Sequence, residues 1–212
     1  MRTPNRDRRR SALATLCAAL VILLAAVPAA GALSADYQVF PNGTAYTASV
    51  EITDANRYEF AGVGFLGEKV AINVGNVNLY GNCSPSCKFN WSKDWGKPPA
   101  ITFSRGNYTV SYIAPLKDNT LQAGYDNMYN VSVMLPAELD VRNPLLASIS
   151  PGANVTRFAD NTTLVQWSKI RTFEIRFYDP WREQILYLFG NFWIIIAIVL
   201  LLPFLLIMKR SE

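Results

Sequence analysis

Residues 171–208, RTFEIRFYDPWREQILYLFGNFWIIIAIVLLLPFLLIM, decide how this chain is built. In the first seven, Phe173, Ile175 and Phe177 alternate with Thr172, Glu174 and Arg176, the two-residue period of a strand with one buried face. The alternation ends at Tyr178-Asp179-Pro180, and from Ile185 to Met208 there are 24 consecutive residues without a formal charge. At about 1.5 Å per residue that run makes a helix of about 36 Å, enough to cross a hydrocarbon core of about 30 Å with some tilt. The stretch therefore predicts a β domain ending against a juxtamembrane and transmembrane helix over residues 181–208.

The flanks of that helix predict its direction. Lys209 and Arg210 follow it at once, and cations beside a span favour the cytoplasmic side, which makes residues 209–212 a short cytoplasmic tail. Trp181, Tyr187 and Trp193 supply amphipathic rings for the outer interface. At the other end of the chain, Arg2, Arg6, Arg8, Arg9 and Arg10 precede an uncharged run from Ser11 to Ala35, the layout of a secretory signal peptide. Small residues Ala30 and Ala32 place its cleavage before Leu33, so residues 1–32 read as the signal and 33–180 as the ectodomain. An uncleaved first membrane helix is the rival reading, and it leaves the ectodomain on the same side. Arg9-Arg10 lacks the rest of a twin-arginine motif, and Cys17 sits inside the apolar run where no lipoprotein acceptor belongs. The expected product is a single-pass type I protein of the cell membrane with its bulk outside the cell.

The formal net charge is +4, but residues 36–180 hold 12 Lys/Arg against 13 Asp/Glu. The basic excess lies in the terminal segments, so nucleic acid is not an expected partner. With Cys17 in the signal, Cys83 and Cys87 are left, and two cysteines in an oxidising compartment are expected to pair as a disulfide. A zinc site is the weaker reading, since the chain has no histidine and Asp94 is the one carboxylate close by. No metal site and no cofactor are expected.

Alternation recurs through the ectodomain. It turns Tyr46, Ala48 and Val50 inward in Thr44–Glu51, Tyr108, Val110 and Tyr112 in Asn107–Ile113, and Val131, Val133 and Leu135 in Asn130–Leu135. Arg57–Ala61, Val70–Val74, Ala100–Phe103 and Leu164–Trp167 are further expected strands. Turn residues separate them at Pro41-Asn42-Gly43, Pro98-Pro99, Arg105-Gly106-Asn107, Lys117-Asp118-Asn119 and Pro151-Gly152. Many short strands between regular turns predict a mainly β fold, an immunoglobulin-like β-sandwich between a signal helix and a transmembrane helix. An alternative arrangement divides the ectodomain into two small modules near Pro98-Pro99 or Lys117–Asn119.

Seven Asn-x-Ser/Thr sequons fall in this region, at Asn42, Asn82, Asn90, Asn107, Asn130, Asn154 and Asn161. A glycan must project into solvent, and the strand parity puts Asn107 and Asn130 on polar faces. Each of the seven is an expected glycosylation site, with Cys83 inside the Asn82 sequon.

Chemistry is sparse. Between Cys83 and Pro99, Phe89, Trp91 and Trp95 interleave with Lys88, Lys93 and Lys97. Rings beside cations suit a sugar or an anionic polymer, which makes Phe89, Trp91 and Trp95 a candidate ligand loop over 88–97. A hairpin whose aromatics close one end of the sandwich is the structural alternative. Without histidine or a free external thiol the usual Ser-His, Cys-His and zinc arrangements are excluded. Asp118, Asp126, Asp140 and Asp160 stand in separate loops, where aspartates ordinarily serve turns. No catalytic residue is assigned, and the chain is not expected to be an enzyme.

Asn143-Pro-Leu-Leu-Ala-Ser-Ile-Ser-Pro-Gly152 reads either as a buried crossover or as an exposed docking ridge. With Trp167 and the run from Ile175 to Gly190, it resembles an uncharacterised archaeal family of exported single-pass membrane proteins known only as a domain of unknown function. The likeness spans roughly Asn107 to the end of the membrane helix, and it implies an archaeal cell surface without implying an active site. The functional expectation is a membrane-anchored cell-surface glycoprotein acting as a structural or protein-interaction component of the envelope, with other envelope or membrane proteins as partners. The alternative is a surface polysaccharide- or polymer-binding module using the aromatic loop.

Overall fold

The computed structural model describes residues 32–64, 67–83 and 86–209, with side chains as far as Leu202. Residues 1–31 of the expected signal and 210–212 of the expected tail lie outside the described residues. The described residues form strands β1 (Leu33–Val39), β2 (Ala45–Glu59), β3 (Ala61–Val63), β4 (Lys69–Ala71), β5 (Gly75–Tyr80), β6 (Asn90–Ser92), β7 (Ala100–Pro115), β8 (Thr120–Leu135), β9 (Ser148–Ile149), β10 (Asn154–Arg157) and β11 (Thr163–Arg176), followed by helix α1 (Pro180–Lys209). The chain is mainly β, as its alternation requires.

The hydrogen bonding does not divide into the two separate sheets expected of an immunoglobulin-like sandwich. Nine strands form one sheet in the order β10-β11-β8-β1-β2-β7-β5, with β6 on β7 and β9 on β11, while β3 and β4 pair as a hairpin of their own. The strand that joins the halves is β1, antiparallel to β2 and parallel to β8, with Tyr37 opposite both Ala48 and Val133. Sequence reading did not mark this strand, because it abuts the uncharged N-terminal run.

One face of the sheet is buried. Ala35, Tyr37 and Val39 of β1, Tyr46, Ala48, Val50 and Ile52 of β2, Val131, Val133 and Leu135 of β8, and Val165, Trp167, Phe173 and Ile175 of β11 all belong to a single core. Each Val, Leu, Ile and Phe among them contributes on the order of 1.5–3 kcal/mol by leaving water, and each Ala less. No helix among the described residues before Pro180 covers that face, so the sheet covers itself.

It does so by folding its long strands at corners. Asp140 exchanges backbone hydrogen bonds of 2.8 and 3.0 Å with Tyr178, just past the end of β11. Its carboxylate also lies 3.9 Å from Arg157, and Arg157 pairs with Thr163 at the start of β11. A straight strand of that length would hold those ends about 45 Å apart. Likewise Tyr46 and Tyr58, far apart on β2, bring their rings within 6.4 and 6.3 Å of Tyr112.

The corners fall where register slips, between Ile52 and Arg57 in the β2–β7 pair and between Trp167 and Thr172 in the β11–β8 pair. At each, one residue takes a left-handed backbone, Asp54 (φ 52°) and Lys169 (φ 54°), and extra residues at such a bulge bend a strand sharply. Arg105-Gly106-Asn107, expected as a turn between two strands, lies inside β7 at its corner. The expected strands Leu164–Trp167 and Arg171–Phe177 are likewise the two arms of β11.

Helix α1 begins directly on the domain. Asp179 caps it by accepting the Arg182 N–H at 3.0 Å, and Pro180 fills the first helical position, where no N–H is needed. Pro180–Leu202 is long and apolar enough to cross a membrane, and among the described residues nothing buries its apolar window.

Candidate functional site

Tyrosines occupy inward positions of β1, β2, β7 and β8 where an aliphatic core would use Val or Leu. A buried phenol brings a hydroxyl that must find a partner, so these rings gather around a shared polar centre. The hydroxyls of Tyr37 and Tyr125 share a hydrogen bond of 2.6 Å, and the Tyr112 ring packs against those of Tyr46 and Tyr58. Tyr129 donates to the Glu51 carbonyl at 2.7 Å and stacks on Tyr125 with ring centres 4.3 Å apart. Six of the ten tyrosines in the chain thus converge.

They line a cleft of about 650 Å³ between the second arm of β2, the β3–β4 hairpin and the first arm of β8. The hairpin is fastened over β8 by a hydrogen bond from Gln122 Nε2 to the Val63 carbonyl. Gly124 permits that approach, since a Cβ there would sit 2.7 Å from Val63 Cγ2. At the mouth Arg57 pairs with Glu59 at 3.2 Å, and Lys69 lies 4.0 Å from Glu59 and 3.6 Å from Asp126.

Burial raises the phenol pKa values of Tyr37, Tyr46, Tyr58, Tyr112 and Tyr125 well above the ordinary tyrosine value. Tyr129 is pushed up to about 12 by burial and then by the charges of Glu51 and Asp126. The cluster is neutral over the physiological range and offers hydroxyl donors and acceptors without charge.

The aromatic loop is the outer end of the same assembly. Phe89 and Trp91 pack with ring centres 6.1 Å apart, Trp91 meets Phe60 at 5.6 Å, and Phe60 meets Tyr58 and Tyr112 at 5.2 Å each. Trp91 is half exposed, whereas Trp95 is fully exposed and apart from these rings. Cys83 and Cys87 stand at disulfide distance with Cα atoms 5.3 Å apart, and the Cys87 N–H bonds the Leu79 carbonyl at 2.8 Å.

All seven sequon asparagines are exposed. Asn107 Oδ1 accepts the Asp54 N–H at 2.9 Å and Asn130 Oδ1 the Lys169 N–H at 3.1 Å, so two of them hold the corners. Asp126, expected in a loop, lies inside β8, whose strand runs unbroken from Thr120 to Leu135, and the four aspartates stay apart in local roles. Asp118 is a left-handed turn residue, Asp126 faces Lys69, and Asp160 accepts the Thr162 N–H and hydroxyl. Among the described residues no group of three or more His, Cys, Asp or Glu side chains is placed to hold a metal.

The segment 143–152 is mainly a packed crossover. Ala147 is buried, Leu146 and Ile149 pack on the core, and Ser150 accepts Trp167 Nε1–H at 3.1 Å, leaving Leu145 exposed. The tyrosine centre itself escaped sequence reading. Its signal was tyrosine at inward parity, visible at Tyr46 and Tyr112 and taken there as ordinary core.

Residues 93–209, from the aromatic loop through α1, match the model of a family described as a family of unknown function, DUF5803. No curated protein matches the chain.

Proposed function

The chain belongs to the DUF5803 family of unknown function, and for this member we propose the role of a membrane-anchored cell-surface glycoprotein, a structural or protein-interaction component of the envelope. The observation that carries this reading is the junction between domain and helix. Tyr178 is buried in the β domain, and α1 starts at Pro180 with no linker between them. Asn143 Nδ2 donates to Glu183 Oε1 at 3.4 Å, tying the 143–152 crossover to the first turn of the helix. A domain held this tightly stands on the bilayer and presents fixed surfaces to neighbours in the same membrane.

Two further features support the reading. The exposed side chains of Leu188, Ile194 and Leu200 on α1 need an apolar surrounding. The exposed sequons suit an extracellular face, type I in orientation, whose glycans leave a limited bare surface for partners. The relation to a surface of archaeal type and to sandwich architecture belongs to the same proposal.

A second reading is favoured by Trp95, whose side chain is wholly exposed beside Lys93 and Lys97: the loop 88–97 retains a surface polysaccharide or polymer. Cross-linking with intact mass spectrometry on protein from native membranes tests the first reading. Glycan mass on the sequons and one recurrent cross-linked membrane or envelope partner are expected. An unglycosylated chain without partners would overturn it, and loss of polymer retention in Trp91→Ala/Trp95→Ala would favour the second.

A further inference from the structure

We propose that the tyrosine-lined cleft between β2, the β3–β4 hairpin and β8 is a binding site for a neutral saccharide. Its volume of about 650 Å³ falls within the range of about 300–1,000 Å³ typical of small-molecule sites, with room for a di- or trisaccharide. No residue of the loop 88–97 lines this cleft, and the proposal does not rest on either reading of that loop or of the protein's partners.

The chemistry of the lining selects the ligand class. The cations at the mouth already have acids beside them, Arg57 with Glu59 at 3.2 Å and Lys69 with Asp126 at 3.6 Å, which leaves no clamp for an anion. The same pairs compensate Glu59 and Asp126, so neither carboxylate is a dedicated counter-charge for a cation. A wholly apolar ligand would make no use of the hydrogen-bonding capacity left on phenol hydroxyls that each hold one bond already, such as those of Tyr125 and Tyr37. A sugar satisfies both parts. Its C–H faces lie on aromatic rings, and its hydroxyls exchange hydrogen bonds with phenols that both donate and accept.

Tyr125 is the residue best placed to read such a ligand. It is half buried at the edge of the cleft, its ring stacked on Tyr129 and its hydroxyl on Tyr37. Tyr58, Tyr112 and Tyr46 form the wall and floor, and Asn127 stands exposed at the rim.

The test is calorimetric titration of the full chain in lipid nanodiscs with neutral gluco-, manno- and galacto-oligosaccharides. A uronate oligosaccharide, tetramethylammonium and a medium-chain alcohol are the comparison probes. Saturable binding of at least one neutral oligosaccharide is expected, at about 1 mM or tighter. Tyr125→Ala should weaken it by about tenfold or more and Tyr125→Phe by about threefold, as a lost ring contact and a lost hydrogen bond predict. Trp95→Ala, at a fully exposed side chain apart from these rings, should leave it unchanged. Asn127→Trp, which fills the mouth from an exposed position, should weaken binding even if Tyr125→Ala fails to fold. Absence of binding across the neutral panel overturns the proposal. So does preference for the anion, the cation or the alcohol, or binding that survives both Tyr125→Ala and Asn127→Trp.

Discussion

The side-chain carbonyl of Asn107 accepts the backbone N–H of Asp54 at 2.9 Å, and Asp54 is the left-handed residue at which β2 turns its corner. The acceptor thus satisfies a donor that the slipped ladder leaves without a strand partner. Arg105 reinforces the same residue with bonds of 2.6 and 2.5 Å to the Asp54 carboxylate. Asn107 is also a sequon residue, and its Nδ2 stays available while Oδ1 is engaged.

Two substitutions separate these roles. Asn107→Ala removes both the corner bond and the sequon, whereas Thr109→Ala removes the sequon alone. Asn107→Ala is expected to lower unfolding free energy by about 1 kcal/mol more than Thr109→Ala, the usual net worth of one hydrogen bond. Equal destabilisation in denaturant melts would show that the bond does not hold the corner.

Alkaline pH should unfold the domain through its phenols. Burial raises the folded-state pKa of Tyr37, Tyr46, Tyr58, Tyr112 and Tyr125, and that of Tyr129 to about 12. Below the unfolded value near 10 both states keep these protons and stability is fully present. As pH rises past it, the unfolded chain ionises first, and stability falls by up to about 1.4 kcal/mol per pH unit for each phenol still protonated in the fold. Denaturant melts from neutral to strongly alkaline pH should show a steep loss beginning near 10, with the phenolate absorbance of the cluster appearing only as the fold is lost. A gradual rise of absorbance at constant stability would contradict a closed phenol centre.

The same corners explain which parts of the fold were legible in the sequence. Inward parity at Tyr46, Ala48, Val50, Val131, Val133, Leu135, Phe173 and Ile175 was readable because alternation is local, and all eight are buried. Arg105-Gly106-Asn107 misled because a corner within one strand and a turn between two strands use the same residues. Alternation also assigns a residue to a face without saying which faces meet. Tyr37, Tyr58 and Tyr125 come together only after two ribbons fold and β1 joins them. The aromatic loop stood out by composition, yet Phe89 and Trp91 turn out to continue the packing of Phe60, and Trp95 alone has the exposure of a surface ligand contact.

Gly124 should set the position of the β3–β4 hairpin. A larger side chain at that point meets Val63 Cγ2, which a Cβ would approach to 2.7 Å, and nothing can give way without moving β3 or turning Val63. Gly124→Val is expected to loosen the hairpin from β8, raising amide exchange over 61–63 and 69–71 by about tenfold or more, a local opening cost of about 1.4 kcal/mol. Unchanged protection at both strands would mean that the Gln122 bond to Val63 holds the hairpin by itself.

Asp140 links the two ends of β11, through its backbone to Tyr178 and through its carboxylate to Arg157, and the charge carries the second link. Burial favours its neutral form, but the Arg142 guanidinium and the backbone N–H groups of Arg142 and Val141 outweigh it and lower the carboxyl pKa. With the folded value depressed, the stabilisation is present above the unfolded pKa and is lost as pH falls through the lower folded value. Asp140→Ala should therefore cost about 1–2 kcal/mol near neutral pH, mostly from the unpaired Val141 and Arg142 donors at 2.7 and 2.9 Å. The gap to the unsubstituted protein should narrow as the medium is acidified below the ordinary carboxylate range. Protease nicking between Leu135 and Thr163 should rise in the variant, because the carboxylate link to Arg157 is lost while the backbone bonds to Tyr178 remain. If the gap between variant and parent stays constant on acidification, the carboxylate charge has no part in the strap, and the backbone bonds between Asp140 and Tyr178 with the packing of Leu139 and Val141 must hold the two ends together.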